Sequence, residues 1–296
     1  MKKILMLTTG GDIAGEHTDT GLVPVYTGEQ LVSMVPELRE YCELECKDIM
    51  QLDGTNVQPE DWITIAEEVY DAQEAYDGVI ITHGTDTMAY SACAVSLMVQ
   101  NLQKPVIFTG AQIAMIDPDT DGKKNLLDAV HAAVSGIPGV YVVFGGRIIR
   151  GIRAQKMYTR ALDAFHSINA GDAGYVQDGE VFLNQSVPTP VGAPVLDTRL
   201  EPKVVQLKLL PGIEPKQLES MLGMGYYGII LEAFGCGGIP NQSRNLLPCL
   251  KRAKQFGVAV LVATQCKYGN VDLGVYDVNV QAAREGAMSV YDMSIE

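Results

Sequence analysis

The sequence predicts an α/β protein with a doubly wound parallel sheet in a larger N-terminal domain and a second, smaller α/β domain after it. Short, continuous apolar runs such as Gly78–Thr82 are typical of parallel strands buried on both faces. These runs alternate with segments of helical periodicity, which indicates βαβ units with right-handed crossovers. A proline-rich stretch at 184–203 interrupts the alternation, so we expect domains at 1–183 and 204–296.

The N-terminal domain is predicted to contain five strands separated by helices. The strands are expected at Ile4–Leu7, Leu44–Met50, Gly78–Thr82, Pro105–Thr109 and Val140–Phe144. The helices are expected from Pro59 onward, at Thr87–Leu102 and at Lys123–Ser135. Pro59 suits the first turn of a helix, because its φ is already helical and its missing N–H needs no partner there. Glu60 and Asp61 then favour the positive end of the helix dipole.

The C-terminal domain is predicted to repeat this pattern on a smaller scale. Its strands are expected at Val204–Leu210, Gly228–Ala233 and Val258–Thr264. Its helices are expected at Pro215–Leu222 and Leu246–Phe256. The preceding segment, 184–203, contains Pro188, Pro190 and Pro194 and has little helical periodicity, so we expect it to be a linker.

Charge and composition exclude several classes of partner. The 296 residues include 22 Lys and Arg against 36 Asp and Glu, which gives a formal charge of −14. Nucleic acids and anionic membranes need basic residues to neutralise their phosphates, so neither is expected as a partner. No apolar run approaches the ~20 residues of a membrane span, and Ile4–Leu7 is too short for a signal peptide. The six cysteines form no C-x-x-C motif, which favours a reduced, cytoplasmic protein without a zinc site or disulfide framework.

Two loops rich in glycine and threonine follow predicted strands, at Thr8–Ile13 and Thr82–Met88. Ligands of open parallel sheets bind beyond the carboxyl ends of the strands. Glycine lets backbone N–H groups approach a ligand, and threonine offers a nucleophile or a hydrogen-bond partner. Each loop alone is explained better as a tight turn or a helix cap. Two such loops at one edge of a sheet favour a binding site.

Six motifs in the chain belong together. They are T-T-G-G-D-I-A at 8–14, P-E-D-W at 59–62, T-H-G-T-D-T-M-A-Y at 82–90, K-P-V-I-F-T-G-A-Q-I at 104–113, R-A-Q-K at 153–156 and A-T-Q-C at 263–266. With these motifs in this order, the chain resembles the bacterial cytoplasmic (type I) L-asparaginases of the asparaginase/glutaminase family. The resemblance implies the asparaginase fold and a metal-free, cofactor-independent hydrolysis of L-asparagine to aspartate and ammonia. It also implies L-glutamine as a further candidate substrate and a homodimer or homotetramer.

The resemblance also implies the residues of the site. A nucleophile is expected at position 12, and a second catalytic centre, which supports proton transfer and water activation, comprises Thr85, Asp86 and Lys156. The residues implied to bind the substrate are Gly11, Asp53, Gly54, Thr55, Gly84, Thr85, Asp86 and Ala111. A hydroxyl nucleophile needs a base to activate it, and a nearby ammonium favours the ionised partner. Asp86 would also pair with the substrate's α-ammonium.

The chain departs from the family pattern at the nucleophile, where Asp12 stands in place of the second threonine of T-G-G-T-I-A. A carboxylate that attacked an amide would form a mixed anhydride, a poor intermediate with an amine leaving group. We therefore expect an inactive or strongly impaired asparaginase. Gly54 lies in D-G-T-N where relatives carry a D-S-S-like pattern, so Thr55 or backbone groups must bind the substrate carboxylate. Relatives also continue beyond Glu296, so we expect a truncated C-terminal domain.

Two alternative functions compete with asparagine hydrolysis. The first is a non-catalytic protein that binds asparagine or aspartate through Asp86 and Thr55 and lacks the nucleophile. The second is the family's tRNA-amidotransferase subunit. This alternative is disfavoured because the T-T-G-G motif begins at residue 8, which leaves no room for an additional N-terminal domain, and because the acidic charge suits tRNA badly.

Overall fold

The computed structural model describes residues 1–184, 187 and 189–296. The chain divides into two compact units, Met1–Arg199 together with Glu296, and Leu200–Ile295. This division lies inside the segment 184–203 that the sequence predicts as a linker. Of the prolines on which that prediction rests, Pro188 lies outside the described residues.

The first unit contains most of the strands and the longer helices. Its strands are β1 (Lys3–Gly10), β2 (Gly15–Thr18), β3 (Gly21–Pro24), β4 (Glu43–Leu52), β5 (Gly78–Thr82), β6 (Val99–Gln100), β7 (Pro105–Thr109), β8 (Gly139–Phe144), β9 (Arg147–Arg150), β10 (Ala154–Lys156), β11 (Phe165–Ser167), β12 (Gly174–Gln177), β13 (Glu180–Leu183) and β14 (Val195–Leu196). Its helices are α1 (Gly28–Met34), α2 (Leu38–Tyr41), α3 (Pro59–Ala75), α4 (Met88–Met98) and α5 (Gly122–Ser135).

The central sheet of this unit has eight strands in the order β13-β12-β9-β8-β7-β5-β1-β4. The five strands from β4 to β8 in this order are parallel neighbours, which confirms the predicted doubly wound parallel sheet. β5 and β7 are buried along their whole length, as their apolar sequences predict. The chain places β4 on one side of β1 and β5 on the other. The strand order therefore switches direction at β1, and the site is expected there.

The sheet also has an antiparallel extension that the sequence did not predict. β9, β12 and β13 continue it beyond β8. Each of these strands has four residues, and β12 alternates between buried and exposed positions. Such short elements carry too little apolar periodicity to separate them from turns.

The predicted helix Thr87–Leu102 is shorter in the structure. α4 ends at Met98, and Val99 has extended dihedral angles (φ −110°, ψ 93°). Val99 and Gln100 form β6, which pairs with β14 in antiparallel fashion. Because β14 lies about a hundred residues later in the chain and inside 184–203, this pairing ends the helix without any local signal. The N-terminus of α3, in contrast, follows prediction, with Pro59 in its first turn and a capping box between Gln58 and Asp61.

The second unit is a smaller α/β structure with a parallel sheet, as predicted. Its strands are β15 (Val204–Lys208), β16 (Gly228–Ala233), β17 (Ala259–Thr264) and β18 (Ala287–Ser289), and its helices are α6 (Pro215–Gly223), α7 (Leu247–Gln255) and α8 (Asp277–Arg284). The strands lie in chain order and all pairs are parallel. Leu231 and Val262 of the sheet share a buried core with Leu250 of α7. Across the part of the chain that the structure describes, no helix combines the length and apolar character needed to cross a membrane.

Candidate active site

The carboxyl ends of β1, β5 and β7 are held together by polar contacts. Thr8 and Thr82 lie opposite each other in the parallel register of β1 and β5. The Thr9 hydroxyl donates a hydrogen bond to the Thr82 carbonyl (2.9 Å), and the His83 N–H donates to the Thr109 carbonyl (2.9 Å). The two glycine- and threonine-rich segments therefore lie at one edge of the sheet, as the sequence predicts. Both loops begin later than predicted, because β1 continues through Gly10 and β5 through Thr82.

Three glycines bring the loops that follow β1, β4 and β5 into direct backbone contact. A Cβ atom on Gly11 would lie 2.4 Å from the Gly84 nitrogen, and one on Gly84 would lie 2.5 Å from the Gly54 Cα. Gly11 also has φ +77° and ψ 179°, a conformation open in practice only to glycine. These residues are thus required for packing, whatever they contribute to ligand binding. At Gly54 the contact is less severe, since a Cβ there would lie 3.0 Å from the Gly84 Cα.

Thr85, Asp86 and Lys156 meet in one hydrogen-bonded group. Lys156 is the last residue of β10, and its Nζ donates to Thr85 Oγ1 (2.7 Å) and to Asp86 Oδ1 (2.7 Å). Thr85 is buried, whereas the side chain of Asp86 is 57% exposed and open to a ligand. The structure therefore brings together residues 71 positions apart that the resemblance groups in one centre.

Gln112 completes the surroundings of Thr85 and was not predicted as a site residue. The Thr85 hydroxyl donates to Gln112 Oε1 (3.1 Å), and Gln112 Nε2 donates to the Ala161 carbonyl (3.1 Å). The Gln112 backbone N–H donates to Asp121 (3.0 Å), which fixes this loop. The motif K-P-V-I-F-T-G-A-Q-I contains Gln112, but an uncharged amide gave no reason to select it. The neighbouring Ala111 is buried in the core, so only its backbone can reach a ligand.

Asp53 and Thr55 form a compact turn next to Gly54. Asp53 Oδ1 accepts hydrogen bonds from the Thr55 N–H (2.8 Å) and from the Thr55 hydroxyl (2.6 Å). The Gly54 carbonyl accepts a hydrogen bond from the Thr87 hydroxyl (2.5 Å), which ties this turn to the start of α4. The Thr55 hydroxyl is exposed and already engaged by Asp53, so it presents its lone pairs to a ligand.

Asp12 follows Gly11 in a short 3-10 turn, Asp12–Ala14, and is partly buried. Burial is the largest cause that raises the pKa of its carboxyl above the ordinary value, and the negative charges of Asp53 and Asp86 raise this pKa further. Lys156 lowers the pKa of Asp12, whereas Asp121 raises it. Within the described residues, the Asp12 carboxylate has no hydrogen-bond partner. Asp12 is therefore an unpaired carboxylate in an electronegative site.

His83 has a structural role. It is fully buried, its Nδ1–H donates to the Gly84 carbonyl (2.8 Å), and its Nε2 accepts from the Ser91 hydroxyl (2.8 Å). The carbonyl can only accept, so Nδ1 carries the proton of a neutral ring. Desolvation lowers the pKa of His83 to about 4. The ring thus supports the Gly84 backbone from below the site.

Two family models match almost the whole chain. The model described as "Asparaginase, N-terminal" matches residues 3–189, and the model of the "Glutaminase/Asparaginase C-terminal domain" matches residues 203–296. The chain belongs to the asparaginase family. The asparaginase fold and membership of this family of amidohydrolases, both predicted from the sequence, are therefore confirmed.

Members of the family to which the chain is similar carry two kinds of name. The L-asparaginase of Thermococcus kodakarensis is 39% identical over 295 residues, which cover 99% of this chain and 89% of that protein. The structure of the thermostable L-asparaginase from Thermococcus kodakarensis matches with a TM-score of 0.94 at 38% identity, covering 99% of this chain and 89% of that one. A glutamyl-tRNA(Gln) amidotransferase subunit from Pyrococcus abyssi is 35% identical over 306 residues, which cover 99% of this chain and 69% of that protein.

Proposed function

We propose that this asparaginase-family chain binds L-asparagine at the carboxyl edge of β1 and β5 and hydrolyses its side-chain amide slowly, to aspartate and ammonia. The observation that carries the proposal is the assembly of Lys156 with Thr85 and Asp86, at 2.7 Å in both contacts. This group is built from two distant motifs. Its residues are those that the resemblance assigns to the second catalytic centre.

The chemistry of the site suits an amino acid with a side-chain amide. The exposed carboxylate of Asp86 offers an ion pair to the α-ammonium group of the substrate. The α-carboxylate would be bound by backbone N–H groups of the glycine-rich loops, since Gly54 has no side chain and the Thr55 hydroxyl donates its proton to Asp53. The side-chain amide would then lie between Asp12 and Thr85. L-Glutamine, which is longer by one methylene, is a candidate for the same site.

Asp12 is the reason that we propose slow turnover. The resemblance predicts a threonine nucleophile at this position, and a threonine ester is a stable enough intermediate to release an amine first. A mixed anhydride with Asp12 would not form in this way, because the tetrahedral intermediate would expel the carboxylate more readily than the amine. The negative charge also opposes the approach of the substrate carboxylate. The covalent route is therefore closed to this chain.

The experiment is an ammonia-release assay on L-asparagine and L-glutamine with the chain and with Asp12→Thr. We expect the variant to hydrolyse L-asparagine at least about 10²-fold faster than the chain, the usual scale for restoring a missing catalytic group. Lys47→Thr, which removes the exposed Lys47–Glu68 ion pair, is the control and should match the chain. If Asp12→Thr releases no more ammonia than buffer, the proposed hydrolysis of asparagine is wrong.

A second candidate function is binding without turnover, and the unpaired Asp12 favours it. Isothermal titration calorimetry with L-asparagine and L-aspartate, run beside the ammonia assay, separates the two. Saturable binding with no ammonia release from the chain would favour the binding protein.

The relatives named as tRNA-amidotransferase subunits suggest a further test, since added tRNA should leave both assays unchanged for a chain with a charge of −14.

We also propose a homodimer or homotetramer, which rests on the resemblance alone. Sedimentation-velocity analysis of the purified chain tests it. A single species at the monomer mass of 32.0 kDa across the concentration range would contradict the proposal.

A further inference from the structure

We propose that Asp12 is the general base of this chain, and that it activates a water molecule which attacks the substrate amide directly, so that no acyl-enzyme forms. This inference rests on the proposed function and adds a mechanism to it. The chain would then be a slow hydrolase with a different catalytic route, and not an enzyme that has only lost its nucleophile.

The position of Asp12 supports this role. Gly11 packs with its backbone on Gly84, and the loop after Gly84 continues directly into Thr85 and Asp86. The residue after Gly11 therefore lies at the same edge of the sheet as the second centre. Its carboxylate oxygens have no hydrogen-bond partner among the residues that the structure describes. Both oxygens are thus available to accept a hydrogen bond from water.

Among the groups placed in this site, Asp12 is the one suited to accept a proton. Lys156, as an ammonium, has three N–H donors and no lone pair to offer. Asp86 accepts a hydrogen bond from Lys156 (2.7 Å), and Asp53 accepts two from Thr55. The Thr85 hydroxyl donates to Gln112. These contacts leave the Asp12 carboxylate as the unengaged base.

The surroundings also make Asp12 a stronger base than an ordinary aspartate. The charged groups that face it are Asp53, Asp86, Asp121 and Lys156, of which three are negative and one is positive. Burial and the three carboxylates favour the protonated form, so the carboxylate accepts a proton from water more readily. A general base works best when its pKa lies near the operating pH, and this shift is in that direction.

The proposed step balances in atoms and protons. The water oxygen forms a bond to the amide carbon while one water proton moves to the Asp12 carboxylate. The resulting tetrahedral intermediate then collapses, the carbon–nitrogen bond breaks, and the proton held by Asp12 passes to the leaving nitrogen. Ammonia and the aspartate side-chain acid are formed and Asp12 returns to its ionised state. The step requires no oxidant, reductant or further reactant.

The test compares the chain with Asp12→Asn, which keeps the shape of the side chain and removes the base. We expect ammonia release from L-asparagine to fall by about 10²–10⁴-fold, the contribution of a positioned general base. Calorimetric binding of L-asparagine to Asp12→Asn confirms that the variant is folded. The proposal would be overturned if Asp12→Asn binds L-asparagine and hydrolyses it as fast as the unsubstituted chain. It would also be overturned if the unsubstituted chain releases no more ammonia than Asp12→Asn.

Two further measurements address the mechanism itself. The rate of the chain should fall as the pH is lowered through the raised pKa of Asp12, because the protonated carboxyl accepts no proton, and this limb should be missing in Asp12→Asn. Acid quench during turnover followed by mass spectrometry should find the chain unmodified. A covalent adduct on residue 12 or on Thr85 would overturn the proposal. Inactivity of Asp12→Thr would instead contradict the proposed function, so the two failures can be told apart.

Discussion

The loop after β1 and the loop after β5 leave the same edge of the sheet but differ in how much of their chemistry is fixed by contacts. In the β5 loop, Thr85 and Asp86 are both held by Lys156, and His83 supports the backbone beneath them. In the β1 loop, the backbone of Gly11 is fixed against Gly84, but the Asp12 carboxylate has no partner within the described residues. The backbone contacts that hold the two loops are therefore independent of the side chain at position 12. We therefore expect a change at position 12 to alter the proposed reaction without disturbing the packing.

The largest effect is expected where the two loops touch. Gly11→Ala adds a Cβ 2.4 Å from the Gly84 nitrogen in a conformation that disfavours side chains, so we expect it to destabilise the chain by about 2–5 kcal/mol. Urea unfolding measures the change. Gly225→Ala is a control with a similar φ (+80°) and no neighbour within 4 Å of the added Cβ. It should lower the unfolding free energy only by the backbone strain of a positive φ. Equal costs for the two variants would show that the loop contact is not tight.

The next effect concerns His83, whose neutral ring supports the β5 loop. Its pKa is about 4 in the folded chain, below the ordinary value of about 6.5. Between these values the unfolded chain binds a proton that the folded chain does not, so the stability contributed by the neutral ring is lost as pH falls from about 6.5 to about 4. The loss at pH 4 is about 3 kcal/mol. His83→Gln should have a shallower decrease in unfolding free energy across this range, and an unchanged slope would contradict the assignment.

Removal of the Lys156 ammonium tests whether the β5 loop contributes chemistry as well as structure. In the Asp12→Thr background, Lys156→Met should lower kcat for L-asparagine by about 10²–10³-fold, because Thr85 and Asp86 lose their shared donor. Lys47→Met is the matched control, since that lysine pairs with Glu68 on the exposed surface. A variant that retains full kcat would assign Lys156 a purely structural role.

The sequence predicted the parts of this comparison that depend on local pattern. Continuous apolar strands such as β5 and β7 indicate a buried parallel sheet, and the glycines and threonines at and just beyond the ends of β1 and β5 mark its carboxyl edge. The motifs identified the group around Lys156, although composition alone would classify that residue as a solvated lysine. Its hydrogen bond to Thr85 joins residues 71 positions apart and forms only when the chain folds.

Other features depend on contacts that leave no local trace. Gln112 was missed because a neutral amide gains its role only from the hydroxyl of Thr85. The early end of α4 was missed because it depends on the pairing of β6 with β14. Gly54 was noted only for the hydroxyl it lacks, whereas the structure shows that a Cβ there would lie 3.0 Å from the Gly84 Cα, a tight contact. In each case the decisive neighbour is remote in sequence.

The smallest effect is expected for the hydrogen bond that joins the turn at Gly54 to the β5 loop. Thr87→Val keeps the shape of the side chain and leaves the Gly54 carbonyl without its donor, at a cost of about 0.5–1.5 kcal/mol in unfolding free energy. Thr18→Val removes a similar bond, from its hydroxyl to the Gly21 carbonyl, but on an exposed hairpin where water replaces it, so its cost should be lower. If both variants unfold alike, the Thr87 bond is not shielded from water. If Thr87→Val also weakens calorimetric binding of L-asparagine while Thr18→Val does not, the turn at Gly54 is part of the ligand site, because this bond connects it to Thr85 and Asp86 through the start of α4.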